Sequence, residues 1–347
     1  MLTQTMNEKT AVATHQRLIL TGQNKPYRLE TISEPLPQPA AGEVRVRVQA
    51  AGLAFADVLA RNGRYPGAPR LPFTPGYDIV GLIDALGDGV TDLSMGQQVA
   101  AILPHFGGHA EYVCLPAKLG VPLPAGLDPS QAVSVILNYL TAHRILHINA
   151  QVKPGERVLV HSAAGGVGTA LLQLGQIAGL EMIGTASGGK LDIVAATGAA
   201  PIDYRSEDFA ARIRQIAPDG VDVVCDPIGG ETMARSYALL RPGGRLINYG
   251  FFSAANGSGV DFVASFLRLF GYRLRPDGKR AIFFGSTPTH AEKETTWYRQ
   301  TLAELLVLLA NGRIAPIIGA TLPLAAADKA FTMLETGTVY GKVVLLP

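Results

Sequence analysis

The chain has 347 residues and, with 30 Lys and Arg against 28 Asp and Glu, a formal net charge of only +2. This length exceeds one ordinary hydrophobic core and predicts two domains, while the balanced charge argues against nucleic acid as the main partner. The polar N-terminus lacks the apolar run of a signal peptide, and the most apolar stretch of the chain is interrupted by polar residues. We therefore expect a cytoplasmic protein with no membrane segment.

The residues that commonly bind metals are sparse. Two cysteines occur, Cys114 and Cys225, each inside an apolar strand-like run, and two cannot build a disulfide framework or a thiolate metal cage. His143 and His147 are four residues apart on a predicted helix, which is half of a metal motif, but Arg144 follows the first of them and no third ligand is evident. We predict core thiols and no bound metal.

The first third of the chain has the pattern of strands and turns. From about residue 17 to 124, alternating apolar runs such as 43–48 are separated by proline and glycine, which predicts a β-rich domain. The period then changes. Asp128 offers an N-cap and Pro129 the first helical position, so the sequence predicts a helix over 132–147.

From residue 156 onward, short apolar runs alternate with helical stretches. This alternation predicts right-handed βαβ units and a parallel sheet that binds ligands at the carboxyl ends of its strands. The predicted strands are 157–161, 182–185, 221–225, 245–249, 281–285 and 340–345, and the predicted helices are 167–178, 191–197, 232–240, 296–309 and 325–334.

A glycine-rich turn follows the first strand of this series. The strand leads directly into Ala-Ala-Gly-Gly-Val-Gly and then into a helix, the context that a dinucleotide fingerprint requires. Glycines there allow close approach of the backbone to a pyrophosphate, and the helix N-terminus supplies N–H groups to the anion. The predicted cofactor-binding residues of this turn are Ala163, Gly165, Gly166, Val167 and Gly168.

The end of the next strand indicates which dinucleotide is bound. An NAD enzyme generally places Asp or Glu there to accept from the ribose 2′-OH, but here Ser187 and Lys190 follow the strand. We predict NADPH, with Lys190 facing the 2′-phosphate and with Ser187 and Tyr204 as hydroxyl donors. The alternative is that Lys190 is a solvated residue of the following helix.

Several motifs occur together in a characteristic order: Ala51 to Asp57, Arg61 to Pro66, Leu71 to Asp78 with Gly81, Tyr139 to Ala142, the glycine-rich turn, and Gly341 to Val344. With these motifs the chain resembles, over nearly its whole length, the zinc-free quinone oxidoreductase (zeta-crystallin-like) branch of the medium-chain dehydrogenase/reductase superfamily.

The resemblance implies an α/β architecture with two domains. A GroES-like β-rich catalytic domain would comprise residues 1–138 and 286–347, and a Rossmann domain with a doubly wound parallel sheet would comprise residues 139–285. The active site would lie in the cleft between them. The resemblance also implies a homodimer. The strand near 281–285 is a candidate dimer interface, because an unpaired sheet edge can pair with a second chain.

The resemblance assigns roles to further residues. In the zinc alcohol dehydrogenases of the superfamily the catalytic metal is held at positions that read Ala54, Tyr77 and Leu137 here, and none of these suits zinc. Ala54 also departs from the Asn that is frequent in the quinone oxidoreductase branch.

Tyr65 and Thr141 would lie beside the nicotinamide and the substrate as catalytic residues, Tyr65 donating to an oxyanion and Thr141 orienting the carboxamide. The alternatives are a Tyr in a surface turn and a helical Thr bonded to its own backbone. Tyr249, Phe251 and Lys342 are further predicted cofactor-binding residues.

These observations support one main hypothesis and two alternatives. The main hypothesis is an NADPH-dependent, zinc-independent oxidoreductase that passes hydride to a small-molecule quinone or conjugated carbonyl compound. The first alternative is an NADPH-binding protein without useful turnover, serving as a sensor, structural protein or nucleic-acid binder. An alcohol dehydrogenase is least favoured, because alkoxide formation at neutral pH generally requires a metal.

Overall fold

The computed structural model describes residues 13–23, 28–250, 252 and 259–347. The strands are β1 Thr14–Gly22, β2 Arg28–Pro35, β3 Glu43–Leu53, β4 Asp78–Leu86, β5 Gln98–Ile102, β6 Tyr112–Pro116, β7 Val121–Pro122, β8 Arg157–Val160, β9 Glu181–Ala186, β10 Ala200–Asp203, β11 Val221–Asp226, β12 Leu240–Asn248, β13 Arg280–Phe283, β14 Ile318–Pro323 and β15 Lys342–Leu346.

The helices are α1 Phe55–Arg61, α2 Pro129–His143, α3 Gly166–Ile177, α4 Leu191–Ala195, α5 Phe209–Ile216, α6 Gly230–Ala238, α7 Gly259–Tyr272, α8 Thr287–Lys293, α9 Thr295–Ala310 and α10 Ala327–Glu335. Asp128 caps α2 as predicted, because its carboxylate accepts from the Gln131 N–H. A π-helical segment, Arg144–Ala150, continues α2.

One sheet is built from both ends of the described chain. Its strand order is β14-β15-β3-β4-β5-β7, and β6 also pairs with β3. Alternate residues of β3, among them Val44 and Val46, are fully buried, which is the period-two pattern expected of a strand with one face on the core. Because β15 pairs with β3, the C-terminal strand belongs to the same β-rich domain as the N-terminal region.

The second sheet is entirely parallel, with strand order β10-β9-β8-β11-β12-β13. This is the doubly wound order, in which connections reverse direction between β8 and β11 and leave a crevice at the carboxyl ends of the strands. The predicted combination of a GroES-like β-rich domain and a Rossmann domain is confirmed. The boundaries at residues 138 and 286 stay predictions.

A short segment before β15 joins the two domains at the phosphate loop. The Gly341 N–H donates to the Ala164 carbonyl at 2.8 Å, and Gly341 and Gly165 form a parallel bridge. Gly341 has φ +60°, and a Cβ atom there would lie 2.1 Å from the Ile317 carbonyl oxygen. Glycine is therefore required where the C-terminal segment meets the Rossmann domain.

Within the described ranges, every helix is too short or too polar to cross a membrane.

Candidate active site

A cavity of about 960 Å³ lies between the two domains. The carboxyl ends of all six strands of the parallel sheet reach it, as the topology predicts. The residues that follow these strands and line the cavity include Ser162 after β8, Ser187 after β9, Tyr204 after β10, Pro227 after β11, Tyr249 after β12 and Phe284 after β13.

The predicted phosphate loop lies on the cavity wall at the start of α3. Gly165 is the N-cap and has no side chain to satisfy the N–H groups of the first turn, so these groups are available to an anion. A Cβ atom at Gly168 would lie 2.3 Å from the Ser162 carbonyl oxygen, so the tight turn requires glycine there. Gly165 to Gly168 line the cavity, whereas Ala163 is fully buried beneath the loop.

His161 anchors this loop from below. Its ring nitrogens contact the Thr185 hydroxyl at 2.9 Å and the Ser236 hydroxyl at 2.7 Å, which links β8, β9 and α6. Burial, with a further contribution from Arg235, lowers the pKa of His161 to about 3. The imidazole is therefore neutral at physiological pH and has a structural role.

The three residues predicted to recognise a 2′-phosphate lie on the same cavity wall. Ser187 and Lys190 are half-buried and Tyr204 is exposed. The Lys190 ammonium donates to the carbonyls of Gly337 at 2.7 Å and Val339 at 2.9 Å, so Lys190 is not a freely solvated side chain. Burial and the neighbouring Arg205 lower the pKa of Lys190.

Lys342 also lines the cavity, but its charge is neutralised within the protein. Its ammonium donates to Asp78 at 2.7 Å, and both side chains are almost fully buried. The second carboxylate oxygen of Asp78 has no hydrogen-bond partner in the described part of the chain. The predicted cofactor contact of Lys342 stays a prediction, and the observed contact ties β15 to β4.

Thr141 lies on the cavity wall and is also bonded to its own helix. Its hydroxyl donates to the Leu137 carbonyl at 2.6 Å, and it lies 2.5 Å from the hydroxyl of Thr287, at the start of α8. Because the Thr141 proton is given to Leu137, Thr287 is the donor in the second bond. One lone pair of Thr141 then remains for a ligand.

Tyr65 packs into an aromatic cluster on the opposite domain. Its ring is 6.1 Å from that of Tyr77 and 5.9 Å from that of Phe106, in edge-on arrangements. Tyr77 is almost fully buried, and burial, with a further contribution from the neighbouring Tyr65, raises the pKa of Tyr77 far above its usual range. Tyr77 therefore keeps its proton, and Tyr65 lies beside it on the cavity wall.

Ala54, Tyr77 and Leu137, the positions of the zinc ligands in the metal-dependent relatives, all line this cavity. A methyl group, an isobutyl group and a phenol that keeps its proton do not form a zinc site. Among the residues that the structure describes, no three His, Cys, Asp or Glu side chains are arranged to hold a metal ion. The residues present do not fit a catalytic zinc.

The cavity contains functional groups that the sequence analysis missed. Asn138, Ser162 and Thr287 line it, and Ser162 has the left-handed φ of +53°. Thr287 was detectable in principle, because a hydroxyl residue before Pro288 and after a strand is typical of a helix start. Tyr249 lines the cavity and burial raises its pKa, and its predicted cofactor contact stays a prediction. The predicted cofactor contact at Phe251 lies outside the described residues.

Comparison with known proteins identifies relatives of each domain and of the whole chain. The family model of the alcohol dehydrogenase GroES-like domain matches residues 40–125, and that of zinc-binding dehydrogenases matches residues 197–345. A synaptic vesicle membrane protein VAT-1 homolog of Rattus norvegicus is 34% identical over 95% of this chain and 83% of its own length. The quinone oxidoreductase of Rattus norvegicus is 32% identical over 90% of this chain and 91% of its own.

Solved structures share the complete architecture. Escherichia coli quinone oxidoreductase complexed with NADPH has a TM-score of 0.85 at 28% identity, covering 96% of this chain and 100% of that one. The CurK enoyl reductase has a TM-score of 0.81 at 28% identity, covering 96% and 99%.

Proposed function

The chain belongs to the zinc-free quinone oxidoreductase branch of the medium-chain dehydrogenase/reductase superfamily, and we propose that it transfers hydride from NADPH to a quinone or an α,β-unsaturated carbonyl compound. The observation that carries this proposal is the distribution of polar groups in one cavity. An uncapped helix N-terminus and Lys190 line one part of it, and the hydroxyl groups of Tyr65 and Thr141 line another.

The cofactor end suits a dinucleotide that carries an additional phosphate. The N–H groups of Gly165 to Gly168 fit a pyrophosphate. Lys190 uses two of its three N–H donors on backbone carbonyls, so the third is held in place for the 2′-phosphate. No carboxylate follows β9 to accept from a ribose 2′-OH, which favours NADPH over NADH. NADPH, when bound, supplies the hydride.

The substrate end offers a hydrogen-bond donor and an acceptor. The Tyr65 hydroxyl, which lines the cavity, donates to the substrate oxygen as negative charge develops on it. The free lone pair of Thr141 accepts from the nicotinamide carboxamide and orients it. The buried aromatic residues packed against Tyr65, among them Tyr77 and Phe106, make this wall of the cavity apolar.

The residues at the substrate end favour a conjugated carbonyl compound over an alcohol. Alkoxide formation needs strong charge stabilisation, commonly by a metal ion, and Ala54 and Leu137 carry no ligand atom. A quinone or enone accepts hydride at a ring atom or β-carbon, and the charge spreads onto an oxygen that one phenol can stabilise. The enoyl reductase among the structural neighbours supports the same class of substrate.

The decisive test is NADPH oxidation against a benzoquinone, a naphthoquinone, an aliphatic enone, an enoyl thioester and a primary alcohol, with and without a chelator and with NADH in parallel. We expect fast, chelator-insensitive oxidation of NADPH by a conjugated acceptor. Tight NADPH binding without turnover would establish the non-catalytic alternative. The similarity to the rat synaptic vesicle membrane protein VAT-1 homolog is the reason to test this alternative. Zinc-dependent alcohol oxidation would establish an alcohol dehydrogenase.

We also propose that two copies of this protein pair through the edge of the parallel sheet. Among the described strands β13 pairs only with β12, so its outer edge is open. Beside it, α7 and the following turn expose Val263, Phe266, Leu267, Phe270 and Leu274, each at least 45% accessible. An edge strand flanked by an apolar helix face is self-complementary about a twofold axis.

Sedimentation equilibrium tests this pairing. Phe270→Glu places a charge in the apolar face, and we expect it to convert a dimer into a monomer. Met95→Glu makes a similar change at an exposed apolar side chain of the other domain and is expected to remain dimeric. A monomeric wild-type chain, or a dimeric Phe270→Glu variant, would refute the pairing.

A further inference from the structure

Asn138 is a polar residue on the cavity wall that the proposed function does not use. It lies on α2, and only 7% of its surface is exposed. Its side-chain amide forms no hydrogen bond with any group in the described ranges of the chain. An amide has two donor and two acceptor positions, so a buried amide facing a cavity without a protein partner is suited to a ligand.

The position of this amide is set by the phosphate loop. A Cβ atom at Gly166 would lie 2.5 Å from Asn138 Nδ2 and 3.1 Å from Oδ1, so the absence of a side chain at Gly166 lets the amide lie directly against the loop. Gly166 is the first residue of the twelve-residue helix α3, whose N-terminus has no side-chain cap. Two independent features therefore converge: free N–H groups of a helix and an unpartnered amide.

We propose that the Asn138 amide donates a hydrogen bond to the pyrophosphate of the dinucleotide and completes the anion site that the backbone of residues 165–168 begins. This inference rests on the proposed function, because it assumes that a dinucleotide binds this loop. Asn138 is a cofactor-binding residue in this arrangement, and it supplies a side-chain donor next to the backbone N–H groups of α3.

The contacts of α2 separate this role from contact with substrate. Thr141, three residues further along α2, meets Thr287 of α8, whereas Asn138 meets Gly166 of the phosphate loop. The two side chains therefore face different parts of the cavity. The hydroxyl groups assigned to the substrate end lie on the Thr141 side, and the anion site lies on the Asn138 side.

Binding measurements on Asn138→Asp and Asn138→Ala test the proposal without requiring turnover. Aspartate keeps the shape of the side chain but replaces a donor with a negative charge facing the pyrophosphate. We expect it to raise the Kd of NADPH and of NADH by the same factor, about tenfold or more, and we expect alanine to raise both by about threefold. Binding of adenosine 2′-monophosphate, which has no pyrophosphate, should be unchanged. Asn311→Asp, the same substitution at an exposed helix end, is the matched control.

Each outcome has a defined meaning. Unchanged dinucleotide affinity in both variants would overturn the proposed role of Asn138. A raised KM for the acceptor with an unchanged Kd for NADPH would also overturn it, since that pattern shows that the amide contacts the substrate. An equal loss of adenosine 2′-monophosphate binding would point to general damage to the fold and would also overturn the proposal. A lowered thermal unfolding temperature of the unliganded alanine variant would confirm such damage. A wild-type chain that binds neither dinucleotide would instead refute the proposed function.

Discussion

Two lysines line the cavity, and the protein treats the two charges differently. Lys190, at the ends of the parallel strands, is half-buried and held by two backbone carbonyls, which leave its charge uncompensated. Lys342, at the junction with the β-rich domain, is almost fully buried and paired with Asp78. The first lysine is available to an anionic ligand, whereas the charge of the second is neutralised by Asp78 and ties β15 to β4.

This difference separates recognition from chemistry. A cation held by neutral carbonyls attracts a phosphate, and no protein anion needs to be displaced. Elsewhere in the cavity, Lys342 is neutralised by Asp78, and the lining includes the neutral hydroxyl groups of Tyr65 and Thr141. Hydrogen bonds from neutral donors are sufficient to stabilise charge that is spread over a conjugated system.

The largest effect is expected from breaking the buried ion pair. Lys342→Met leaves the Asp78 carboxylate buried without compensation and should lower the free energy of unfolding by about 3–5 kcal/mol. Asp78→Asn combined with Lys342→Met removes both charges and should recover most of this loss. Urea denaturation measures all three proteins. A loss below about 1 kcal/mol in Lys342→Met would mean that the pair behaves like a surface ion pair.

The next largest effect concerns the open lysine. Lys190→Asp should raise the Kd of NADPH about a hundredfold, because an anion would replace the cation that faces the 2′-phosphate. NADH carries no 2′-phosphate and should lose much less affinity. Fluorescence titration with both cofactors measures the difference, and Lys153→Asp, at an exposed lysine, is the control. Equal losses for the two cofactors would assign Lys190 to tethering the loop at Gly337 and Val339.

A smaller effect is expected from the histidine beneath the phosphate loop. The folded-state pKa of His161 is about 3, below the unfolded value near 6.5, so the unfolded chain binds more protons between these pH values. Stability should therefore fall as pH falls below about 6.5, by about 2.5 kcal/mol from this group at pH 4.5. The pKa of His109, lowered by burial to about 4, acts in the same direction, and that of Asp57, raised by burial to about 7, acts in the opposite one.

Comparing variants isolates the contribution of His161. His161→Gln should unfold in urea with a weaker dependence on pH between 4.5 and 7, whereas His105→Gln, at a largely exposed histidine, should keep the wild-type dependence. Identical pH profiles for wild type and His161→Gln would show that the imidazole is not the source.

The smallest effects are expected at the neutral hydroxyl groups. Thr141→Val removes the lone pair assigned to the carboxamide and Tyr65→Phe removes the oxyanion donor, and each should lower kcat by about tenfold. Neither should change the Kd of NADPH by as much as Lys190→Asp does. Steady-state kinetics on the acceptor identified above gives kcat. An unchanged kcat in Tyr65→Phe would remove this residue from the proposed mechanism.

The success of prediction differed between elements for physical reasons. The loop before α3 is recognisable because a strand, a glycine-rich turn and a helix are contiguous, so local pattern is sufficient. Helix α5 and strand β10 were not predicted, since β10 is four residues long and α5 only eight. Their identity comes from pairing with β9 and packing on the same core, which are not local properties.

Periodicity, turn residues and spacing were enough to predict a β-rich domain and a parallel nucleotide-binding domain. They also predicted the phosphate loop and a lysine in place of the acid after β9. Each of these features is defined by residues that are neighbours along the chain. Long-range packing decided which polar groups remain free. It paired Lys342 with Asp78, buried Ala163 beneath the loop, joined Thr141 to Thr287, and left the Asn138 amide facing the cavity beside Gly166. Whether a charge or a hydrogen-bonding group remains available depends on which groups the fold places next to it. Asp78, the partner of Lys342, lies more than two hundred residues earlier in the chain.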